Sequence, residues 1–493
     1  MSATGAKVAL VNNQTALTGA CPSGVVDFVG YDGANCPAPT PALTNTTAAL
    51  RLADACAYTG TNSVDFAVGT PTPRNSASPG TVCSSGTATP TSVIRNQATV
   101  VAVSPAAGHA ANSMTAGLGT IGGTGTQALF DDGTNGDANP GDGIFSGTLV
   151  VGQCTASGVR IIPVSIAYAD GTHGAAAVLI SVATLNSNVN IYDIQGSGPR
   201  SPYECQPVTT SGVVTGRISN GFFLQDPVGD GDPSTSDGVF VFTSSAPSAN
   251  AAVGNIVSVT GTVSEFVPSS DTNSPPVTEI SGSPTVTLVS TGNPLPAPVE
   301  ITSIDPNGSF DQLERYEGMR VHVASLTVTG PTLGNIDEPS ATSTSTGLFF
   351  GVLAGTPRPF REPGVETFVP VPNPPCCVPR FDTNPERLRV DTSRLSSTLE
   401  VTDGVIVNNI TGPLDFGYRM YSIVAEPGIE AATPNASAVA APGPDASEFT
   451  IANSNLRHFY DTIAGPAQDS TLTPDAYAKR LNKVSLAVRT LLH

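Results

Sequence analysis

Short apolar runs separated by turn residues recur along the whole chain. Examples are Ala98-Thr-Val-Val-Ala-Val103, Ala176-Ala-Val-Leu-Ile-Ser-Val182 and Gly238-Val-Phe-Val-Phe242. Runs of this length that are rich in β-branched and aromatic residues, and are bounded by Gly, Pro, Asn and Ser, indicate strands. The pattern predicts a mainly β protein built as a string of sandwiches and barrels.

The periodicity changes after residue 447. Phe449-Thr-Ile-Ala452 has the composition of a buried strand, and Thr473-Pro474-Asp475 is a helix start with a capping hydroxyl and an acidic first turn. One strand and one helix cannot bury a core, so we expect an incomplete α/β unit and a chain that is cut at this end. The strand-like Lys7-Val-Ala-Leu-Val11 leads us to expect that the chain is also cut at its front. Apolar residues at spacings of four and three predict one stripe of an amphipathic helix: Tyr477, Leu481, Val484, Val488 and Leu491.

Stretches rich in Pro, Gly, Ser and Thr mark the expected domain boundaries, because such residues interrupt strands and form linkers. A chain of 493 residues also needs several domains at roughly 100–200 residues each. The expected segments are 1–79, a linker at 80–92, 93–187, 190–290, 291–432, a linker at 433–447, and 448–493.

The composition excludes several classes of protein. With 50 Gly and 43 Pro, the chain is not a coiled coil or a long-helix protein. Its formal net charge of −19 opposes the usual mode of nucleic-acid binding, in which Lys and Arg displace counterions from phosphates. No apolar run of about 18 residues is present, so we expect no membrane span.

Cysteine usage suggests an oxidising compartment. The eight cysteines show no Cys-x-x-Cys spacing, and an even number in such a sequence favours disulfides, with buried free thiols as the alternative. Cys21 with Cys36 is the pair we expect first, although sequence alone does not determine pairing. The first residues do not form a signal peptide. We nevertheless expect an extracellular or cell-surface protein, with contacts to a surface or matrix.

Several motifs follow one another along the chain. They are Val25-Val-Asp-Phe-Val-Gly-Tyr31, Gly141-Asp-Gly-Ile-Phe145, Asn220-Gly-Phe-Phe-Leu-Gln-Asp-Pro227 and Leu313-Glu-Arg-Tyr-Glu-Gly-Met319. Their order resembles that of secreted bacterial nucleases of the endonuclease/exonuclease/phosphatase family. The resemblance implies a partial lamin-tail domain of immunoglobulin-like fold, an immunoglobulin-like spacer, an OB-like domain, a second β-barrel-like domain and the start of a catalytic domain, at the boundaries given above.

The resemblance also implies a metal-dependent phosphodiesterase in the full-length parent. Such enzymes use Mg²⁺ or Ca²⁺ to polarise the phosphate of a DNA or RNA substrate, and a His–Asp pair to activate water. This chain carries the first of the family's active-site positions, Asn455, although Asn is also a common turn or cap residue. The other catalytic residues would lie beyond His493, so we expect this chain to be inactive alone.

Two loops rich in Asp and Gly offer carboxylates for a structural Ca²⁺. The first loop departs from the EF-hand pattern because it lacks a Glu at the twelfth position. Asp and Gly also form tight β-turns without an ion, so a calcium site and a plain turn both remain open. The two sets are Asp131, Asp132, Asp137 and Asp142 in the first loop, and Asp226, Asp230, Asp232 and Asp237 in the second.

Binding of single-stranded nucleic acid needs aromatic stacking surfaces and a basic groove, and the OB-like segment contains aromatic residues. Arg217 is the positive charge near them, so a spacer or docking role is favoured over nucleic-acid binding. The aromatic residues concerned are Phe222, Phe223, Phe240 and Phe242.

Three functions stay open at this stage. The chain is the accessory-domain portion of an extracellular metal-dependent nuclease, or a non-catalytic adhesion or surface-binding protein, or part of a phosphatase that uses the same catalytic scaffold.

Overall fold

The computed structural model of the protein separates two compact parts, Met1–Asn186 (unit 1) and Ser187–His493 (unit 2). The residues that the structure describes are 5–36, 39–56, 58–75, 78, 80–306, 308–309, 311–356, 365–366, 380–381, 384–417, 419–431, 460–463 and 471–491.

Unit 1 is built from short strands. They are β1 (Gly5–Leu10), β2 (Asp27–Asp32), β3 (Ala48–Arg51), β4 (Phe66–Gly69), β5 (Thr81–Thr89), β6 (Ser92–Val93), β7 (Ala98–Ser104), β8 (Ala111–Gly117), β9 (Thr126–Leu129), β10 (Phe145–Val150), β11 (Gly158–Tyr168) and β12 (His173–Val182). Helix α1 spans Asn62–Asp65, and 3₁₀ turns lie at Leu52–Ala55 and Gly119–Ile121.

Strands β5 to β12 form a β-sandwich in which β5 joins both layers. Its first half, Thr81–Ser84, pairs in parallel with β12, and its second half, Ser85–Thr89, pairs antiparallel with β7. The strand order is β10-β7-β5-β12-β11-β8-β9, with β6 beside β12. Alternate residues fill the space between the layers: in β7, Thr99, Val101 and Val103 are buried while their neighbours are not.

Two strand pairs, β1 with β2 and β3 with β4, precede the sandwich and are held by disulfides. Cys21 is bonded to Cys36, the pair expected from the sequence, and Cys56 is bonded to Cys83. All the cysteines among the described residues are disulfide-bonded, which confirms the expectation of disulfides over free thiols.

Unit 2 contains the remaining strands. They are β13 (Pro207–Ile218), β14 (Gly221–Gln225), β15 (Gly238–Phe242), β16 (Ile256–Phe266), β17 (Val277–Ser290), β18 (Val299–Glu300), β19 (Arg320–Gly330), β20 (Gly334–Asp337), β21 (Thr342–Ser345), β22 (Leu348–Leu353), β23 (Val365–Glu366), β24 (Arg380–Phe381), β25 (Leu388–Asp391), β26 (Ile406–Gly417), β27 (Met420–Val424) and β28 (Glu430–Ala431). Its helices are α2 (Ile191–Gln195) and α3 (Pro474–Leu491), with 3₁₀ turns at Ala249–Ala251 and Glu314–Tyr316.

Two barrels of the same topology make up most of unit 2. The first closes in the order β13-β14-β15-β17-β16, and the second follows β19-β22-β25-β27-β26, where β26 returns to β19. In both barrels the strands that come third and fifth along the chain, β15 with β17 and β25 with β27, run parallel. Both also carry a register shift between the first two strands, at Val214-Thr-Gly216 and Val328-Thr-Gly330. The mainly β class, with sandwich and barrel sheets, is therefore confirmed.

Helix α3 begins where the sequence predicts. The Thr473 hydroxyl accepts the backbone N–H of Ala476 at 3.2 Å, as an N-cap does. The guanidinium of Arg480 pairs with Glu338 of the β20–β21 hairpin. Of the predicted apolar stripe, Leu481 and Val488 are exposed rather than buried. The strand expected at 449–452 lies outside the described residues, and no described helix is long and apolar enough to cross a bilayer.

Candidate functional site

The first acidic loop joins β9 to β10 in the sandwich of unit 1. At its base, Phe130 and Ser146 exchange backbone hydrogen bonds of 2.8 and 2.7 Å, which fix the two ends of the loop relative to each other. Its glycines allow it to fold back on itself, because they adopt left-handed φ values that residues with a Cβ rarely adopt. These are Gly133, Gly136, Gly141 and Gly143, with φ of 79°, 102°, 75° and 80°.

Backbone N–H groups hold two of the carboxylates in place. Asp131 accepts from Gly141 at 2.9 Å and from Gly143 at 3.0 Å, one through each oxygen. Asp137, which is 9% exposed, accepts from Gly133 through Oδ2 at 2.7 Å. These hydrogen bonds orient the carboxylates before any ligand arrives.

Three of the four predicted carboxylates converge. Oxygen atoms of Asp131, Asp137 and Asp142 all lie within 4.8 Å of one another. Ca²⁺ takes oxygen ligands at 2.3–2.6 Å in irregular geometries, so ligands on opposite sides of one ion are roughly 5 Å apart. The donor set therefore fits Ca²⁺ in chemistry and spacing. The fourth residue, Asp132, instead accepts from the hydroxyl and N–H of Thr134.

The second acidic loop, between β14 and β15, is arranged differently. Asp226 accepts from the N–H groups of Val228 and Gly229 at 2.9 and 3.0 Å. Hydrogen bonds from Ser234 lower the pKa of Asp232. Within the part of the chain that the structure describes, no three carboxylates of this loop come within 4.8 Å of one another. This loop has the hydrogen bonding of a turn.

Of the aromatic side chains of the first barrel, Phe222 lies in the core of that barrel, and the other three belong to a cluster that includes Val424 of the second barrel. Phe222, Phe223 and Phe240 are 0%, 1% and 7% exposed, and Phe242 is half-buried against them. Arg217 donates to the carbonyl of Pro247 at 2.6 Å. A base cannot stack on rings that are already enclosed, so Phe222, Phe223 and Phe240 are not available for stacking.

Sequence reasoning missed three histidine–carboxylate pairs that lie among the described residues. Hydrogen bonds from Thr172, and then from His109, lower the pKa of Asp170 to about 2. No sequence signal reveals such pairs, because their members are far apart in the chain. They are His109 Nδ1 with Asp170 Oδ2 at 2.7 Å, His173 Nε2 with Asp54 Oδ2 at 3.0 Å, and His322 Nδ1 with Glu300 Oε2 at 2.5 Å.

The predicted catalytic residue Asn455 lies outside the described residues, so the structure gives no geometry for it. Cys376 and Cys377, two of the eight cysteines, also lie outside the described residues.

Comparison with known proteins gives fold-level likeness at most. No family model and no curated protein matches the chain. A crystal structure of murine CEACAM1b is similar over 36% of this chain and 92% of that one, at 13% identity and a TM-score of 0.14. Fibronectin(III)-like modules of Clostridium thermocellum CbhA match over 44% and 93%, at 12% identity and a TM-score of 0.12. Trypsin-activated alpha-2-macroglobulin from Escherichia coli matches over 66% and 24%, at 8% identity and 0.14. Scores this low carry no functional argument.

Proposed function

We propose that this chain supplies the accessory β domains of an extracellular metal-dependent nuclease, and that it positions the catalytic domain rather than performing the hydrolysis. The motif order from Val25 to Met319 supports the nuclease parent. The disulfides fit an extracellular location, because oxidising compartments are where disulfides persist.

The observation that carries the positioning role is the contact between the two barrels of unit 2. Phe223 and Phe240 of the first barrel pack against Val424 of the second. The Gln225 side chain accepts the backbone N–H of Arg320 at 2.8 Å. We call this contact surface the barrel junction. We infer that apolar packing and hydrogen bonds at the junction hold the two barrels together as one arm, as a spacer requires.

An ion pair reinforces this arm at the junction's edge. The guanidinium of Arg419, on the second barrel, binds both carboxylate oxygens of Asp271, in the β16–β17 loop of the first. Two parallel N–H···O bonds restrict rotation as well as separation.

We further propose that the loop with Asp131, Asp137 and Asp142 binds one Ca²⁺ in unit 1. The three carboxylates repel one another in the absence of a cation, and a bound Ca²⁺ removes that repulsion. The bound ion stabilises the sandwich, because the loop joins two of its strands. The ion reaches the loop from solvent beside Asp142, which is exposed.

A nuclease assay tests the positioning role. The purified chain, and a longer protein in which the reading frame continues past residue 493, are incubated with DNA, RNA and a phosphomonoester in the presence of Mg²⁺ or Ca²⁺. We expect the longer protein to cleave nucleic acid and this chain to do so no faster than buffer. Metal-dependent turnover by this chain alone contradicts the proposal. Activity confined to the phosphomonoester indicates a phosphatase, and an inert longer protein favours the adhesion hypothesis.

A further inference from the structure

The segment Leu313–Met319, singled out in the sequence as a motif, lies between the two barrels. Its apolar ends are buried, with Leu313 3% and Met319 6% exposed. Between them Glu317 is only 1% exposed, which is unusual for a carboxylate without a cationic partner. The segment thus places an acidic side chain inside the protein.

Backbone contacts tie this segment to both barrels. The hydroxyl of Ser236, beside β15, donates to the Glu317 carbonyl at 2.6 Å, and the N–H of Gly318 donates to the Leu414 carbonyl of β26 at 2.7 Å. Gly238 and Gly318 meet so closely that a Cβ on Gly238 would overlap the Gly318 backbone. Movement of the segment therefore separates the barrels.

Two carboxyl groups meet at one residue of the first barrel. Thr278 donates its N–H to Glu317 Oε1 at 3.1 Å and its hydroxyl to Glu265 Oε1 at 2.9 Å. The second oxygen of each carboxyl group is buried and has no hydrogen-bond partner among the described residues. A third group, Glu314, accepts from the Tyr421 hydroxyl at 3.4 Å.

Negative charges dominate the surroundings of these groups. Arg200 acts on Glu265, and Arg389 on Asp415. Arg315, in the segment itself, is exposed and lines the same cavity as Asp311 and Glu314. The remaining groups that face the cluster are acidic or neutral. From the first barrel these are Glu204, Glu265 and Glu279, from the connecting segment Asp311, Glu314 and Glu317, and from the second barrel Asp415 and Tyr421.

Protons rather than a metal ion suit this cluster. Among the described residues, no three of its carboxyl groups bring an oxygen within 4.8 Å of one another, so one ion cannot bind them together. Burial, and then the charges of Glu265 and Asp311, raise the pKa of Glu314 to about 8. Burial, and then Glu314, hold the pKa of Glu317 well above its usual range.

We propose that Leu313–Met319 is a pH-dependent latch, in which Glu314 and Glu317 keep the barrel junction closed while they are protonated and loosen it when they ionise. In the closed state Glu314 and Glu317 are both neutral and need no counter-ion. Ionisation places two negative charges beside Glu265, and the segment must then move towards water.

Proton linkage determines whether the closed state gains or loses stability as the pH rises. A carboxyl whose pKa is higher in the folded than in the unfolded protein binds more protons when folded. Its stabilising contribution is complete below the unfolded value and is lost as the pH rises through the folded value. For Glu314 the stabilising contribution falls from its ordinary value of 4.5 upwards and is nearly lost at about pH 8, where the folded carboxyl itself ionises. The latch closes in acid and opens in mild alkali.

A single fluorophore tests the latch. The chain has no Trp, so Phe242→Trp in the full chain reports on the junction alone. We expect its emission to shift to the red between pH 7 and 9, and Glu314→Gln with Glu317→Gln to abolish the shift, because an amide mimics the protonated acid. Glu430→Gln, at an exposed edge strand, is the matched control and should leave the shift unchanged.

In the fluorescence experiment the latch is overturned by no shift with native Glu314 and Glu317, or by an equal shift in the double variant. Where the double variant does not fold, each single variant should reduce the shift. Amide exchange in the unmodified chain gives an independent measurement. After correction for the intrinsic pH dependence, exchange at Thr278 and Gly318 should rise at least tenfold from pH 6 to 9; unchanged protection overturns the proposal.

Discussion

The loop at 131–142 and the latch at 313–319 are both acidic, but their surroundings are opposite. In the loop, Asp131 and Asp137 accept backbone N–H groups and their oxygens converge near solvent. In the latch, Glu317 is enclosed and one of its oxygens has no hydrogen-bond partner among the described residues. Converging, pre-oriented carboxylates fit a cation, whereas separated and buried carboxyl groups lower their energy by binding protons.

The second acidic loop sharpens this contrast. Its composition is close to that of the first, yet Asp226 and Asp232 are engaged in local turns and do not converge with a third carboxylate. Composition alone therefore does not identify an ion site. The path of the backbone decides which carboxylates meet.

The largest effect is expected at the barrel junction. Gly238→Val forces a side chain into the backbone of Gly318 and should lower the free energy of unfolding of unit 2 by roughly 3 kcal/mol. Gly198→Ala is the control, because its nearest neighbour lies 4.0 Å away, and it should change that energy by no more than about 0.5 kcal/mol. Urea unfolding measures both. Equal effects would mean that the junction is not closely packed.

The pH dependence of unit 2 is the next effect. Burial raises the pKa of Glu279 and Asp415 to about 6 and that of Glu314 to about 8. All three bind more protons when folded, so the free energy of unfolding should fall from pH 5 to pH 8, by roughly 2 kcal/mol once partial exposure is allowed for. Urea unfolding of the Phe242→Trp protein, whose signal arises in unit 2, measures it. Stability that is flat or rising over this range contradicts the buried-carboxyl account.

Calcium should give a smaller effect, confined to unit 1. With a dissociation constant of about 1 mM, which is common for extracellular modules, about 5 mM Ca²⁺ stabilises by about 1 kcal/mol. Thermal unfolding of the full chain with Ca²⁺ or with a chelator measures this. Asp131→Asn should abolish the gain, and Asp132→Asn should retain it because Asp132 does not join the converging group. A gain that survives Asp131→Asn would locate the ion elsewhere.

Local features of the fold were predictable from the sequence. The alternation in Ala98–Val103 becomes a sandwich strand, and Thr473 caps helix α3. These features depend on neighbours in the chain, which periodicity and capping rules describe.

Features that depend on distant residues were not predictable. The shared strand order of the two barrels follows from pairings between strands that are far apart in the chain. The same Val-Thr-Gly tripeptide at the register shift of each barrel, residues 214–216 and 328–330, is a local sequence feature that the two barrels share. A glutamate is expected at the surface, because buried carboxylates are rare. The burial of Glu317 against Thr278 becomes apparent only from the structure.

A calorimetric titration with Ca²⁺ tests most directly whether the acidic loop of unit 1, rather than the buried carboxyl groups of the latch, binds the cation. The titration compares the unmodified chain with Asp137→Asn and Glu317→Gln. We expect one ion per chain in the unmodified protein and in Glu317→Gln, and none in Asp137→Asn, which keeps an acceptor for Gly133 but loses its charge. Calcium binding that persists in Asp137→Asn, or that disappears in Glu317→Gln, contradicts the account.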